Sequence, residues 1–193
     1  MDKMLVLGCG LVGKTVATDL AADCFVTVLD PSAGSLEKLK DHPNIRKVKG
    51  SASDPHLLGD LVSDVDVVCG LLPSLFEGYV QKKVIEMGKN YVSPSGFLHG
   101  AGMDELAKKN GVTAVFDMGV APGMSNYLVA RGACLLDRLD HGCIYVCGIP
   151  ERKDPPFNYR TVFNLEDTLQ EYITPARYVK DGKIEIAEAL SGL

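Results

Sequence analysis

Gly8, Gly10 and Gly13 stand in a G-x-G-x-x-G spacing, and Asp30 follows 22 residues after the first of them. Residues of those types at that spacing hold a dinucleotide. Gly8 permits a tight turn, Gly10 removes a side chain so that the backbone can approach a pyrophosphate, and Gly13 lets the next helix lie close to a sheet. Amides at the helix start, where Leu11 and Val12 follow Gly10, then face the phosphate charge. Asp30 is placed to accept hydrogen bonds from both hydroxyls of the adenosine ribose. Glycine-rich turns arise for many reasons, so the flanking context carries the reading. An apolar run ending at Leu7 precedes the turn, and a second run, Phe25 to Leu29, ends at Asp30.

Asp30 also bears on the choice of cofactor. A carboxylate there repels the phosphate that NADP carries on the same ribose hydroxyl, and Pro31-Ser32-Ala33-Gly34 supplies no arginine to pair with it. NAD is expected, with NADP as the alternative and Ser32 and Lys38 as the residues able to admit the phosphate. Ser51 and Ala52 are small enough for adenine to lie flat nearby. Leu71-Leu72-Pro73 is expected beside the nicotinamide ribose, the alternative being an ordinary strand exit.

These residues need a sheet to position them, and the order of elements supplies one. Strand runs are expected at Met4 to Leu7, Phe25 to Leu29, Ile45 to Val48, Asp66 to Gly70, Tyr91-Val92 and Val112 to Phe116. Between them, helices are expected near Ser35 to Lys40, His56 to Val62, Phe76 to Met87 and Asp104 to Lys109, with Asp54 as a cap and Pro55 at a first helical position. Such alternation predicts a doubly wound Rossmann-type α/β fold with a mostly parallel sheet, whose ligand lies over the carboxyl ends of the strands. After a helix at Met124 to Leu136 the alternation stops. A glycine-flanked strand at Cys143 to Cys147, a proline-rich turn, an alternating run at Phe157 to Phe163 and a helix near Leu165 to Tyr172 follow. A hairpin about Asp181-Gly182 then pairs Ala176 to Lys180 with Lys183 to Ile186. The expected division is a dinucleotide-binding domain over 1–139 and the start of a smaller α+β substrate or dimerisation domain over 140–193.

With 193 residues, 46% hydrophobic and 23% charged, the chain can bury a core. Its formal charge of −5 and lack of a dense Lys/Arg run argue against nucleic acid or an anionic membrane as partner. Met1-Asp2-Lys3 leads straight into the first strand, and no apolar segment is long enough to span a bilayer, so a cytoplasmic protein is expected. The six cysteines form no Cys-x-x-Cys pair and read as buried reduced thiols, with Cys143 and Cys147 on one face of their strand. No histidine stands at ligand spacing, and no metal is assigned.

A second motif runs Phe116-Asp117-Met118-Gly119-Val120-Ala121-Pro122-Gly123-Met124-Ser125-Asn126. It takes a strand end through glycines to a helix start, with Gly123, Ser125 and Asn126 where a substrate carboxylate would be received. Together with the glycine fingerprint, this run resembles the saccharopine dehydrogenase family, whose members carry Asp-x-Gly-x-x-Pro-Gly-x-x-Asn here. The similarity continues through Ile144-Tyr145-Val146, Gly148-Ile149-Pro150, Pro155-Pro156, Tyr159 and Glu171 to Arg177, a block similar to the lysine 6-dehydrogenase branch.

That resemblance implies hydride transfer between a nicotinamide and the amine or imine carbon of an amino acid such as lysine or saccharopine. The chemistry requires a carbon held against the ring, a base for the amine and water for the imine. Asp117 is the first candidate to orient or deprotonate the amine, its alternative role being to cap the following turn. His99 is a second candidate base, or a surface loop histidine. Tyr159 and Arg177 are candidates to hold a substrate carboxylate, Arg177 by a bidentate pair or else in a structural ion pair. One departure stands out: relatives place an aspartate after the Tyr-Val of the fifth strand, and this chain has Ser93.

Family members usually have a much longer second domain. A segment as short as 140–193 buries too little to stand alone, and is expected to pack on the first domain, pair with another chain as a homo-oligomer, or belong to something longer. The space over the nicotinamide is accordingly expected to be partly open in a single chain. Two readings follow: an amino-acid dehydrogenase, or a catalytically incomplete dinucleotide-binding module derived from one.

Overall fold

The computed structural model describes residues 1–95, 102–146, 151–153, 155–156, 158, 161 and 165–191. They divide into two compact units, Met1–Val146 and Cys147–Leu193.

The first unit is a six-stranded sheet of β1 (Lys3–Leu7), β2 (Phe25–Asp30), β3 (Ile45–Lys49), β4 (Val67–Gly70), β5 (Asn90–Val92) and β6 (Ala114–Val115). Their order is β3-β2-β1-β4-β5-β6 with every neighbouring pair parallel. This is the Rossmann order, in which the winding reverses between β1 and β4. Helices α1 (Leu11–Leu20), α2 (Ala33–Glu37), α3 (Pro55–Ser63), α4 (Ser74–Glu86), α5 (Met103–Asn110) and α6 (Met124–Ala133) connect or follow the strands.

Side chains alternate across a strand, so β1 supplies both faces. Leu5 and Leu7 join Leu58, Leu61, Val62, Val80 and Val84 in one buried cluster, which seats α3 and α4. Val6 joins Ala17, Ala21, Val26, Val28, Leu36 and Leu39 in the other, which seats α1 and α2. A parallel sheet covered on both faces must be apolar on both, and this is why β1, β2 and β4 read as continuous apolar runs.

Helix α3 begins as expected. Asp54 accepts from the His56 and Leu57 amides at 3.0 and 3.2 Å, and Pro55 takes the first turn, where its missing N–H is harmless. Asp54→Ala is expected to lower unfolding free energy by about 1 kcal/mol in chemical denaturation, leaving two backbone donors without their acceptor.

Three local expectations are corrected. Residues 141–146 form no strand, and Tyr145 is 93% exposed. The run Cys143-Ile144-Tyr145-Val146 has strand-forming residues, but a strand also needs a neighbouring backbone to bond, and none pairs with it among the described residues. The cysteines divide as well. Cys9, Cys24 and Cys69 are buried as small apolar residues, whereas Cys134 and Cys143 are exposed, and Cys147 lies outside the described residues. Helix α6 ends at Ala133, ahead of the expected Leu136, and none of its residues is buried.

In the second unit, α7 (Leu165–Glu171) precedes an antiparallel pair, β7 (Ala176–Lys180) with β8 (Lys183–Ala187). Asp181 and Gly182 both have positive φ, 50° and 74°, the combination a two-residue hairpin turn with right-handed twist demands. No described helix is long and apolar enough to cross a membrane.

Candidate functional site

Because all six strands run the same way, their carboxyl ends share one edge of the sheet. The Gly8–Gly13 turn, Asp30, Ser51 and Ala52, Leu71 to Pro73, Ser93 and Asp117 all leave from that edge.

Gly8 has φ +100°, and a Cβ on it would strike the Leu71 carbonyl oxygen. A Cβ on Gly13 would strike the Gly8 carbonyl oxygen, so α1 lies directly on the turn. Gly10 differs, since a Cβ there would meet nothing within 4 Å. Its missing side chain is therefore needed by no internal contact and leaves an open approach to the backbone. Gly10 is the N-cap of α1 and supplies no side-chain cap, whereas Ser32 caps α2 and Asp54 caps α3. The first-turn amides of α1 are left to an external acceptor, and their partial positive charge favours an anion. Leu11 and Val12, 72% and 57% exposed, flank this opening.

Asp30 is fixed at the mouth of the turn. Its Oδ2 accepts from the Cys9 amide at 2.7 Å and its Oδ1 from the Ser32 amide at 2.7 Å. Each carboxylate oxygen has a further lone pair for a ligand hydroxyl. Pro31 is exposed beyond it, and the Ser32 hydroxyl accepts from the Ser35 amide at 3.2 Å. Cys9 is no nucleophile: burial, then the Asp30 charge, push its thiol up, and its Sγ donates to the Ser35 carbonyl at 3.5 Å.

Lys49 was not among the residues singled out from the sequence. It stands in register with Asp30 on the neighbouring strand, and partners across a parallel pair project to the same face. Strand register is the only signal for it, and register is not visible in one strand alone. Ser51 is exposed and Ala52 is 8% exposed at the end of β3, while Leu71 and Leu72 are half-buried and Pro73 is exposed at the end of β4. Leu71 donates its amide to Leu7 at 2.9 Å, which seats it beneath the glycine turn.

The second motif is a closed loop that braces itself. Asp117 has φ +57°, a left-handed conformation that aspartate tolerates better than most residues, and it is half-buried. Gly123 has φ +128°, and a Cβ on it would strike the Gly119 backbone. The Met118 amide donates to the Ser93 carbonyl at 3.0 Å, tying the loop to the end of β5. The Met124 and Ser125 amides donate to Gly119 and Val120 carbonyls at 2.9 and 3.0 Å. Asn126 Oδ1 accepts from the Gly123 amide at 3.0 Å and from the Ser125 hydroxyl at 3.3 Å. The Asn126 carboxamide oxygen thus holds the helix start in place. Ser93, where relatives were expected to carry aspartate, is 1% exposed, and its hydroxyl accepts from the Ser95 amide at 3.1 Å.

His99 and Tyr159 lie outside the described residues, and Arg177 falls within β7 of the second unit. No group of three or more His, Cys, Asp or Glu residues able to hold a metal occurs among the described residues.

Comparison with known proteins agrees with this arrangement. The family model described as saccharopine dehydrogenase NADP binding domain matches residues 4–115, and that described as saccharopine dehydrogenase C-terminal domain matches residues 119–193. The chain is 28% identical to "Saccharopine dehydrogenase [NADP(+), L-glutamate-forming]" of Saccharomyces cerevisiae, over 94% of this chain and 43% of that protein. It is also 28% identical to the mitochondrial alpha-aminoadipic semialdehyde synthase of Mus musculus, over 94% of this chain and 21% of that one. The chain therefore spans less than half the length of these relatives. Apo saccharopine dehydrogenase (L-Glu forming) from S. cerevisiae superimposes with TM-score 0.72 at 24% identity, over 97% of this chain and 44% of that chain, which shows the shared fold. With two consecutive domain models matching residues 4–115 and 119–193, this chain belongs to the saccharopine dehydrogenase family.

Proposed function

We propose that this chain binds a nicotinamide dinucleotide over the Gly8–Gly13 turn and belongs to an oxidoreductase acting on the carbon–nitrogen bond of an amino acid, saccharopine first and lysine second. The observation that carries the reading is the uncapped start of α1 above Gly10, with Asp30 locked beside it by two 2.7 Å hydrogen bonds. An anion seat and a ribose acceptor at the carboxyl edge of a sheet in this strand order are the parts a dinucleotide needs. Leu11, Val12, Pro31, Ser51, Ala52 and Leu71 to Pro73 complete that site in this reading.

A bound oxidised nicotinamide would supply the hydride acceptor for the amine carbon. Loss of a proton from the nitrogen and addition of water would then complete the balance, splitting the imine into an aldehyde and an amine, or ammonia where the amine is primary. Asp117, at the carboxyl end of β6, is the residue we assign to orienting or deprotonating that nitrogen, with Ser125 and Gly123 at the neighbouring helix start. NAD is favoured over NADP because the Asp30 carboxylate opposes a phosphate on the same ribose, although the yeast relative's name specifies NADP. Residues 1–139 form the cofactor part in this reading, and 140–193 open the substrate part. A cytoplasmic homo-oligomer with no membrane or nucleic-acid partner belongs to the same reading, supported by the acidic charge and by β3 and β6 at the sheet edges.

A second reading, a dinucleotide-binding module without turnover, is favoured by the self-contained Asp117–Asn126 loop, whose Met124 and Ser125 amides and Asn126 Oδ1 are engaged internally. Nicotinamide absorbance of the purified chain given NAD with saccharopine, and separately with lysine, decides between them. Growth of the reduced-cofactor signal, abolished in Asp117→Asn, supports the enzyme. Tight NADH binding with no signal supports the module, and no binding of either cofactor sinks both.

A further inference from the structure

Glu77 lies in the first turn of α4 and is 0% exposed, as is Gln81 one turn on, while Tyr91 of β5 is 1% exposed. The Tyr91 hydroxyl donates to Glu77 Oε1 at 2.6 Å, and Gln81 Nε2 approaches the same oxygen at 3.4 Å. Glu77 Oε2 and Gln81 Oε1 are buried with no hydrogen-bond partner among the described residues. Burial, then the Glu77 charge, push the Tyr91 hydroxyl far above the usual phenol range, so it remains a donor. Apolar side chains of the same size would fill this space at lower cost in stability than an incompletely paired polar cluster. Its value must therefore lie in the geometry it imposes.

That geometry centres on Gly70, the last residue of β4. A Cβ there would strike both the Tyr91 hydroxyl and Glu77 Oε1, so the strand end rests directly on the pair. From Gly70 the chain turns through Leu71-Leu72-Pro73 into α4, which has Pro73 as its N-cap and no side-chain cap. Leu71 is held independently by the hydrogen bond its amide donates to the Leu7 carbonyl. Leu72 packs against the core cluster that contains Tyr91, and the Glu77–Tyr91 hydrogen bond joins the first turn of α4 to β5.

We propose that Glu77 and Tyr91 are positioning residues that set the strand-to-helix elbow Leu72–Ser74, and through it the nicotinamide half of the bound cofactor. The second clause rests on the dinucleotide reading above, whereas the first does not. Neither residue touches the cofactor. The adenosine half, seated on Gly8–Gly13 and Asp30, is independent of the pair because Leu71 keeps its own bond beneath the turn.

Tyr91→Phe keeps the ring and its contact with Phe116, whose centroid lies 6.4 Å away, and removes only the hydroxyl. Glu77→Leu removes the acceptor, and Glu77→Gln keeps an acceptor oxygen in nearly the same shape. Titration with NADH and with ADP-ribose, which lacks the nicotinamide, reads the two halves separately. Tyr91→Phe and Glu77→Leu are expected to weaken NADH about tenfold with ADP-ribose unchanged within about twofold, and Glu77→Gln is expected to restore most of the NADH loss. Equal losses on both ligands, or no loss on either, overturn the assignment. Amide hydrogen exchange of the cofactor-free protein decides the elbow alone. Faster exchange at Leu72 and Ser74 in Tyr91→Phe, with Leu5 to Leu7 unchanged, supports it, and unchanged exchange at the elbow overturns it. If the native protein binds neither ligand, the dinucleotide reading and the clause built on it fall, while exchange still decides whether the pair holds the elbow.

Discussion

Gly10→Asp is expected to stabilise the cofactor-free protein and to abolish dinucleotide binding, two effects that ordinarily do not travel together. Gly10 has φ −71° and ψ −161°, an extended conformation any residue adopts and the one an N-cap requires. A Cβ there meets nothing within 4 Å, so the backbone accepts a side chain at this position. A carboxylate at this position caps the first-turn amides of α1 and complements the helix dipole, for about 0.5–1 kcal/mol in total. In a chain of this size that raises the melting temperature by roughly 1–3 °C. The same carboxylate fills the seat proposed for the pyrophosphate and repels it, and NADH affinity is expected to fall about 100-fold or more. Gly13→Ala provides the contrast. Its methyl strikes the Gly8 carbonyl oxygen, so α1 must move off the turn. Overpacking of that kind costs about 2 kcal/mol, or roughly 6 °C, and binding is lost along with stability. Thermal melts without ligand and NADH fluorescence titrations on both variants make the comparison. A Gly10→Asp protein that binds NADH like the native chain would place the anion elsewhere.

Asp30→Asn is expected to reverse or erase the preference for NADH over NADPH proposed above. The carboxylate now accepts from Cys9 and Ser32 with one oxygen each. An asparagine keeps one of those bonds and turns an NH2 toward the other amide, so the turn loosens and NADH binding weakens by about tenfold. For NADPH the loss is offset, because the repulsion between the carboxylate and the ribose phosphate disappears. Lys49, in register with Asp30, is then the cation placed to meet that phosphate. The ratio of the two dissociation constants is expected to shift about tenfold or more toward NADPH, and Lys49→Ala in the same background is expected to reverse the shift. A native chain that already prefers NADPH, with a ratio Asp30→Asn leaves unmoved, would show that Asp30 is a brace for the turn and no selector. The comparison is informative because the yeast relative is named for NADP.

The parts readable from the chain alone are those whose cause is local. Gly8 and Gly13 identify a turn through local causes, the positive φ of Gly8 and the approach of Gly13 to the Gly8 carbonyl, and the continuous apolar runs of β1, β2 and β4 identify a doubly covered sheet. Asp54-Pro55 and Asp181-Gly182 announced a helix start and a hairpin turn through their own backbone preferences. Asp117 to Asn126 was recognisable as a motif, yet its residues were read as reaching outward. Folded, Asn126 Oδ1 turns back to Gly123, and the Met124 and Ser125 amides close on Gly119 and Val120.

Sequence alone thus determined the order of strands and helices, the glycine turn and the acid that faces it, since steric freedom and apolar periodicity are properties of short stretches. Tertiary structure decided the pairings. It set Lys49 beside Asp30, buried Glu77 against Tyr91 under Gly70, and left Cys143 to Val146 without a strand partner among the described residues. Each of those outcomes depends on which distant backbone lies alongside, and a hydrogen bond or a strand register exists only once both partners are in place.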